Sequence, residues 1–243
     1  HRFETILDEL CIELPLLRAP IRSGGAMPEG VVARRMWLAA APFADRFITP
    51  MAAVAGSVAE EVLGAMTAAA DLRRAYVNNG GDIALHLAPG ERMSIGVVDR
   101  PDRPQMYGAV SIASPQPVRG IATSGWRGRS FSLGIADAVT ILARTAAAAD
   151  AAATIVANAV DLPGHPGIRR EPASMRDPQS DLGTIPVTVD VPALSEADAA
   201  VALAAGLRVA EDCIARGLIE AAALHLAGQT VQTGLPLLQR AAA

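Results

Sequence analysis

The sequence predicts an α+β fold with mixed or antiparallel sheets, and three observations carry that reading. Strand-like runs cluster between helices of unequal length and do not alternate with them one for one. Two long helical segments present faces of alanine and glycine where a core helix usually presents bulk. No Gly-x-Gly-x-x-Gly follows a strand, so a dinucleotide-binding βαβ unit has no support.

The elements follow in order. His1 to Leu14 reads as an amphipathic helix with Phe3, Ile6, Leu7, Leu10 and Leu14 on one stripe. The Pro- and Gly-rich "RAPIRSGGAMPEG" is a loop. Helical spacing resumes in "VVARRMWLAAAPF", with Arg34 and Arg35 on the open side. Thr49-Pro50 is a start signal, a hydroxyl cap followed by proline at the first helical position. The helix it opens runs to about Ala70, and its face of Ala52, Ala55, Gly56 and Ala59 permits close approach of another backbone or of a flat ligand.

Strands are expected at Ala75–Val77, Ile83–Leu87 and from Met93 to Asp99, then a loop "RPDRPQMYG", then "AVSIAS" and "GIATSG". "FSLGIADAVTILAR" has no assignable start. "TAAAADAAATIVANAVD" is a second small-residue helix, and its likeness to "MAAVAGSVAEEVL" suggests an internal duplication. "VTVDVPAL" is a strand. The helix after it is capped by Ser195, with Glu196 and Asp198 in its first turn, and "GLIEAAALHLAG" closes as a strand.

Composition narrows the function. Hydrophobic residues are 51% of the 243 but aromatics only 3%, so the core must be aliphatic. A net charge of −4 disfavours nucleic acid as a partner, since its binders present a basic face. No uncharged, glycine-free apolar run reaches about 18 residues, so no membrane span is expected. Cys11 and Cys213 read as buried free thiols in a reducing, cytoplasmic setting, and the scattered histidines and cysteines offer no zinc spacing.

Four groups of residues are candidates for chemistry. Asn78, Asn79, Gly80, Gly81 and Asp82 lie between two apolar runs; they suit either an anion-binding loop of backbone N–H groups or a wide hairpin turn with Asx hydrogen bonds. Thr123, Ser124 and Gly125 form a second such loop, with Arg127 and Arg129 beyond it to meet a phosphate or solvent. Asp150 and Thr154 stand four apart on one helix face, and their hard oxygens suit Mg²⁺, although two oxygens alone do not complete a site. Asp177, Asp181 and Arg170 form a polar loop that borders a cleft or serves as a linker. No Ser-His-Asp or Cys-His constellation is visible.

Taken in order, "ITPMAAVAGSVAEEVL", "VNNGGDIAL", "GIATSGW" and "ADAAATIVANAV" resemble the ApbE-like superfamily of FAD:protein FMN transferases, and most of all its branch of uncharacterised ApbE-like proteins from archaea and bacteria. The resemblance covers about Leu7 to Gly228. It implies a single ApbE-like domain over 1–243 that lacks a native N-terminal segment. It also implies a flavin pocket, for FAD or FMN, walled by Asn78 to Ile83 and Thr123 to Gly125. By the same resemblance Asp150 and Thr154 hold Mg²⁺ and, with Asp82, make up the catalytic set. The small-molecule partner is then a flavin nucleotide or another phosphate-bearing or acidic ligand; a homo-oligomer is allowed by the sequence, which does not name the oligomeric state.

One departure is plain. The transferases follow "TSG" with a His-x-x-Asp-Pro-x-x-Gly type motif, whereas this chain has no histidine from Gly125 to Ala143, and Asp137 is not followed by proline. Two alternatives therefore stand beside flavin transfer: a component of sulfur amino-acid (homocysteine) metabolism, and a small-molecule hydrolase that reuses the cleft.

Overall fold

A computed structural model describes residues 1–22, 24–98 and 106–235. Seven helices are seen: α1 (Arg2–Ile12), α2 (Leu14–Leu17), α3 (Val31–Ala40), α4 (Val54–Ala69), α5 (Ala146–Ala159), α6 (Ala173–Arg176) and α7 (Glu196–Ala215). The strands are β1 (Arg74–Asn79), β2 (Asp82–Leu87), β3 (Arg92–Val98), β4 (Met106–Ala113), β5 (Gly120–Ser124), β6 (Ala138–Ala143), β7 (Arg169–Pro172), β8 (Pro186–Asp190), β9 (Ala221–Leu226) and β10 (Gln229–Gly234). The fold is α+β, as predicted. The expected loop over 100–108 lies mostly outside the described residues, and Met106 to Gly108 belong to β4.

Cα proximity divides the chain into two compact units. The first is His1–Met93, Ile112–Ala122 and Leu142–Ala152; the second is Ser94–Ser111, Thr123–Ile141 and Ala153–Ala243.

In the first unit β1 and β2 form an antiparallel hairpin, and β2 pairs with β5 through Ile83–Ile121 and Ala84–Gly120. Alternation along the hairpin sends Ala75, Val77 and Ala84 to one face, where they pack with Ala59 and Leu63 of α4, Leu72 and Ala146. The small face of α4 is explained here. Gly56 lies so close to the start of α5 that a Cβ would overlap the carbonyl of Ala146. The expected stripe of α1 is narrower than its pattern: Ile6 and Leu10 are buried, while Phe3 and Leu7 remain 68% and 69% exposed. The helix breaks after Ile12, and Pro15 begins a separate turn. Thr49 is buried and its side chain does not cap the helix; Pro50–Ala53 form a 3₁₀ turn before α4 starts at Val54.

Charge ties the helices together. Glu61 of α4 accepts from Arg2 (2.7 Å) and Arg35 (3.0 Å), and Arg35 also pairs with Glu60 (3.2 Å). Arg35 is thus not on the open side, as its spacing suggests; only Arg34 is exposed. Burial opposes the Glu61 charge, but the two guanidinium groups more than offset it and hold its carboxyl below the ordinary range. Pro50–Ala69 is also long and apolar enough, by length and composition, to cross a membrane, although it carries Gly56, Glu60, Glu61 and Gly64. Here its glutamates are ion-paired and its alanine face lies on the hairpin.

In the second unit β6, β9 and β10 are neighbours in that order, with β9 and β10 antiparallel from Leu226–Gln229 to Ala221–Gly234. Every residue of β6 is buried. Strand β10 is absent from the sequence reading, because Gln229 to Gly234 has little apolar content to mark it. Strand β8 lies where "VTVDVPAL" predicts one, but its partner β7, with a bulge at Arg169/Arg170, falls in what reads as a polar loop. Ser195 caps α7 as expected, accepting from the Asp198 N–H at 3.1 Å. Cys213 is buried, but Cys11 is exposed, on the outer side of α1.

Gly56→Ala is expected to cost about 1–3 kcal/mol by overpacking, lowering the melting temperature by several degrees. Gly64→Ala on the same helix meets nothing within 4 Å and should stabilise, by about 0.5–1 kcal/mol, through better helix propensity. Thermal and urea unfolding of the two variants side by side checks the contrast.

Candidate functional site

The polar end of the β1–β2 hairpin lies against the first turn of α4. Asn79 and Asp82 face each other across a two-residue turn made by Gly80 (φ +72°) and Gly81 (φ +116°). Positive φ at both positions is what glycine permits and a two-residue turn of this hand requires. Asn78 steadies the turn, its Oδ1 accepting from the Gly81 N–H at 2.9 Å. The five turn-type residues therefore divide their work: Asn78, Gly80 and Gly81 turn the chain, while Asn79 and Asp82 are presented by the strands on the same face as Val77 and Ala84.

Asn79 donates from Nδ2 to the carbonyl of Ala55 at 3.2 Å. The N–H groups of Ala55 and Gly56, in the first turn of α4, have no partner within their own helix. Asp150 of α5 accepts from both, the Gly56 bond being 2.9 Å. It caps α4 from another element, and the positive end of the helix dipole favours its charge. The arrangement is reciprocal. Glu60 of α4 accepts from the Ala147 N–H of α5 at 2.7 Å, and Thr145 accepts from the Ala148 N–H at 3.2 Å.

Asp82 lies close enough to Asp150 to act on its titration. Desolvation is the larger cause and repulsion from Asp82 the second; together they hold the Asp150 carboxyl well above the ordinary carboxylate range, against the Ala55 and Gly56 bonds that favour its charge. A carboxylate pair in such surroundings takes a proton or a cation. The hard carboxylate oxygens are of the kind that suits a divalent ion such as Mg²⁺, which commonly takes one or two carboxylates and completes its shell with water and ligand phosphate, while the positive end of α4 favours the carboxylate charge itself. Among the described residues no three His, Cys, Asp or Glu side chains gather at one metal-binding point.

The other expected site residues have separate settings. Thr154 is half-buried on α5, one turn beyond Asp150. In the second unit Thr123 exchanges a hydroxyl bond with Thr140 at 2.9 Å, and Ser124 ends β5. Gly125 is pressed against the Asp137 carbonyl, where a side chain would not fit. Arg127 is ion-paired with Asp137 at 3.3 Å, and Arg129 is exposed. Arg170 is ion-paired with Asp161, and Asp177 accepts from the Gln179 N–H at 2.9 Å. The roles of Glu60 and of the Ala55–Gly56 amides are missing from the sequence reading. Only the unusual pairing of two acidic residues with an otherwise alanine-rich helix points to Glu60.

An α+β protein whose two small-residue helices cap one another beside a carboxylate pair is the class defined by this geometry. Residues 1–232 match the family model described as "AbpE bacteria", and the chain belongs to that family. Among its relatives is a UPF0280 protein of Methanopyrus kandleri, 37% identical over 162 residues, which cover 65% of this chain and 61% of that protein. A UPF0280 protein of Methanosphaerula palustris is 41% identical over 123 residues, covering 46% and 47% respectively. A third, from Methanothermobacter thermautotrophicus, is 35% identical over 137 residues, covering 56% and 51%. The chain thus spans about half to three-fifths of the length of these relatives.

The raised Asp150 carboxyl has a pH signature. The folded protein holds that proton more tightly than the unfolded chain, whose aspartate titrates near 3.8. Stability from this group is therefore present below that value and is lost as pH rises through the folded value. Asp150→Asn keeps an oxygen for the α4 amides and removes the titration. Its melting temperature is expected to fall less than the wild type's between about pH 4 and about pH 8. Parallel profiles in differential scanning calorimetry would show that Asp150 is not held protonated.

Proposed function

We propose that the chain binds a phosphate-bearing small molecule, with a flavin nucleotide as the leading candidate, through a divalent cation at Asp82 and Asp150. The observation that carries this reading is the buried Asp150 carboxylate on the first-turn amides of α4, with Asp82 near enough to act on its charge. Like charges in a desolvated setting repel, and a cation relieves the repulsion while offering open positions to a phosphate. Thr154, one turn along α5, supplies a further oxygen of the right hardness. When bound, Mg²⁺ would polarise a pyrophosphate and stabilise charge on a leaving group.

Beyond the cation, the ApbE-like resemblance supports Asn78–Asp82 as a part that meets the ligand. Resemblance and residues part on transfer. Moving FMN to an acceptor hydroxyl requires that oxygen to be activated and aligned, and misplacement by about 1 Å can cost roughly 100-fold. The histidine that accompanies this chemistry in the transferases has no counterpart between Gly125 and Ala143. The reading is therefore of a Mg²⁺-dependent nucleotide binder with weak FMN transfer. Two free cysteines, one exposed and one buried, fit a cytoplasmic setting.

Thermal shift with MgCl₂, with and without FAD, tests the binding. Stabilisation of the wild type and its loss in both Asp82→Asn and Asp150→Asn are expected. No shift in the wild type under either condition would overturn the reading. With FAD, Mg²⁺ and a threonine-bearing acceptor peptide, mass spectrometry should find transfer at least about 100-fold below that of a histidine-containing transferase.

A further inference from the structure

The second unit carries a cavity of its own. Arg127, Asp137, the Val191–Leu194 segment after β8 and the β9–β10 hairpin from His225 to Gly228 line a half-open cavity of about 350 Å³. That is near the lower end of the volume range of small-molecule sites, roughly 300–1,000 Å³.

Its polar groups are held in place. Asp137 is committed at both oxygens: Oδ1 accepts from Arg127 Nε at 3.3 Å, and Oδ2 from the Ala227 N–H at 2.8 Å. The Asp137 N–H in turn donates to the His225 carbonyl at 3.0 Å. Ala227 is the one non-glycine residue with positive φ (+50°) among the described residues. That conformation is one an alanine rarely adopts, and the bond from its N–H to Asp137 sustains it. The Arg127 guanidinium also stacks over the Trp126 ring, 4.0 Å from its centre. Through its Nε bond and this stacking, the side chain is fixed at two points. No described residue accepts from its two terminal Nη groups, so a planar fork of N–H donors is left at the cavity wall.

We infer that this cavity binds the carboxylate of a small organic monoanion, gripped end-on by the Nη groups of Arg127, with its apolar body against Pro192, Leu194 and Leu226. A planar fork matches a carboxylate in two parallel hydrogen bonds. Asp137 already balances most of the guanidinium charge, so the site tolerates one negative charge and repels two. A phosphate monoester, largely dianionic at neutral pH, is thereby disfavoured. The left-handed Ala227–Gly228 turn adds a stretch of wall with little side chain, which lets a ligand approach the main chain.

The inference does not depend on the cation site, and its test contains neither Mg²⁺ nor nucleotide. In a Trp37→Phe background the indole emission comes from Trp126 alone. Titration with benzoate should change that emission saturably. Phenyl phosphate should bind at least about tenfold more weakly, and Arg127→Lys, which keeps the charge but loses the fork, should weaken benzoate by a similar factor while its melting temperature stays close to the parent's. Absence of a saturable change with benzoate would overturn the inference. So would phenyl phosphate binding as tightly as benzoate, a comparison that needs only the parent protein and holds even if the Arg127 variant fails to fold.

Discussion

The first unit depends on a mutual debt between two helices. An isolated helix leaves its first amides without acceptors, and neither α4 nor α5 satisfies all of its own. Asp150 of α5 serves Ala55 and Gly56 of α4; Glu60 of α4 serves Ala147 of α5. Side chains as short as these reach across only if the backbones nearly touch. That requirement explains Gly56 over Ala146 and the alanines around them. Ion pairs from Glu60 and Glu61 to Arg35 and Arg2 then carry the connection outward to α3 and α1.

A capping carboxylate and a ligand-binding carboxylate make different demands. The cap asks only for an acceptor at the helix end, which asparagine supplies almost as well as aspartate. The neighbouring Asp82 makes the charge on Asp150 harder to hold. A charge opposed by its surroundings is a common mark of function, because active sites collect groups whose titration is displaced.

Much of the fold is legible in the sequence, and so are the residues of the site, but not their partners. Helices with caps written beside them, such as the one after Ser195, read directly. Strands with apolar alternation, such as β2 and β3, do too. Strands β7 and β10 escape because their residues are largely polar and their place is set by the partner strand they pair with. Thr49 shows the opposite error: a local start signal stands where the structure caps the helix from a distance. Whether Asp150 serves metal or backbone is invisible in a spacing of four, since both uses demand the same projection from the helix.

The distance along the chain between the partners in these caps sets an order of events. Gly56 and Asp150 are 94 residues apart, Ala147 and Glu60 are 87 apart. During synthesis α4 emerges long before the residues that complete it, so its first turn must wait on water while nearly a hundred further residues are added. Long-range closure of this kind slows folding, because chain entropy is lost before the contacts form. Over that interval Pro50–Ala69 is an apolar segment without its cover, and a nascent chain of this protein is most exposed to aggregation, or to capture by a chaperone, until Asp150 has been made.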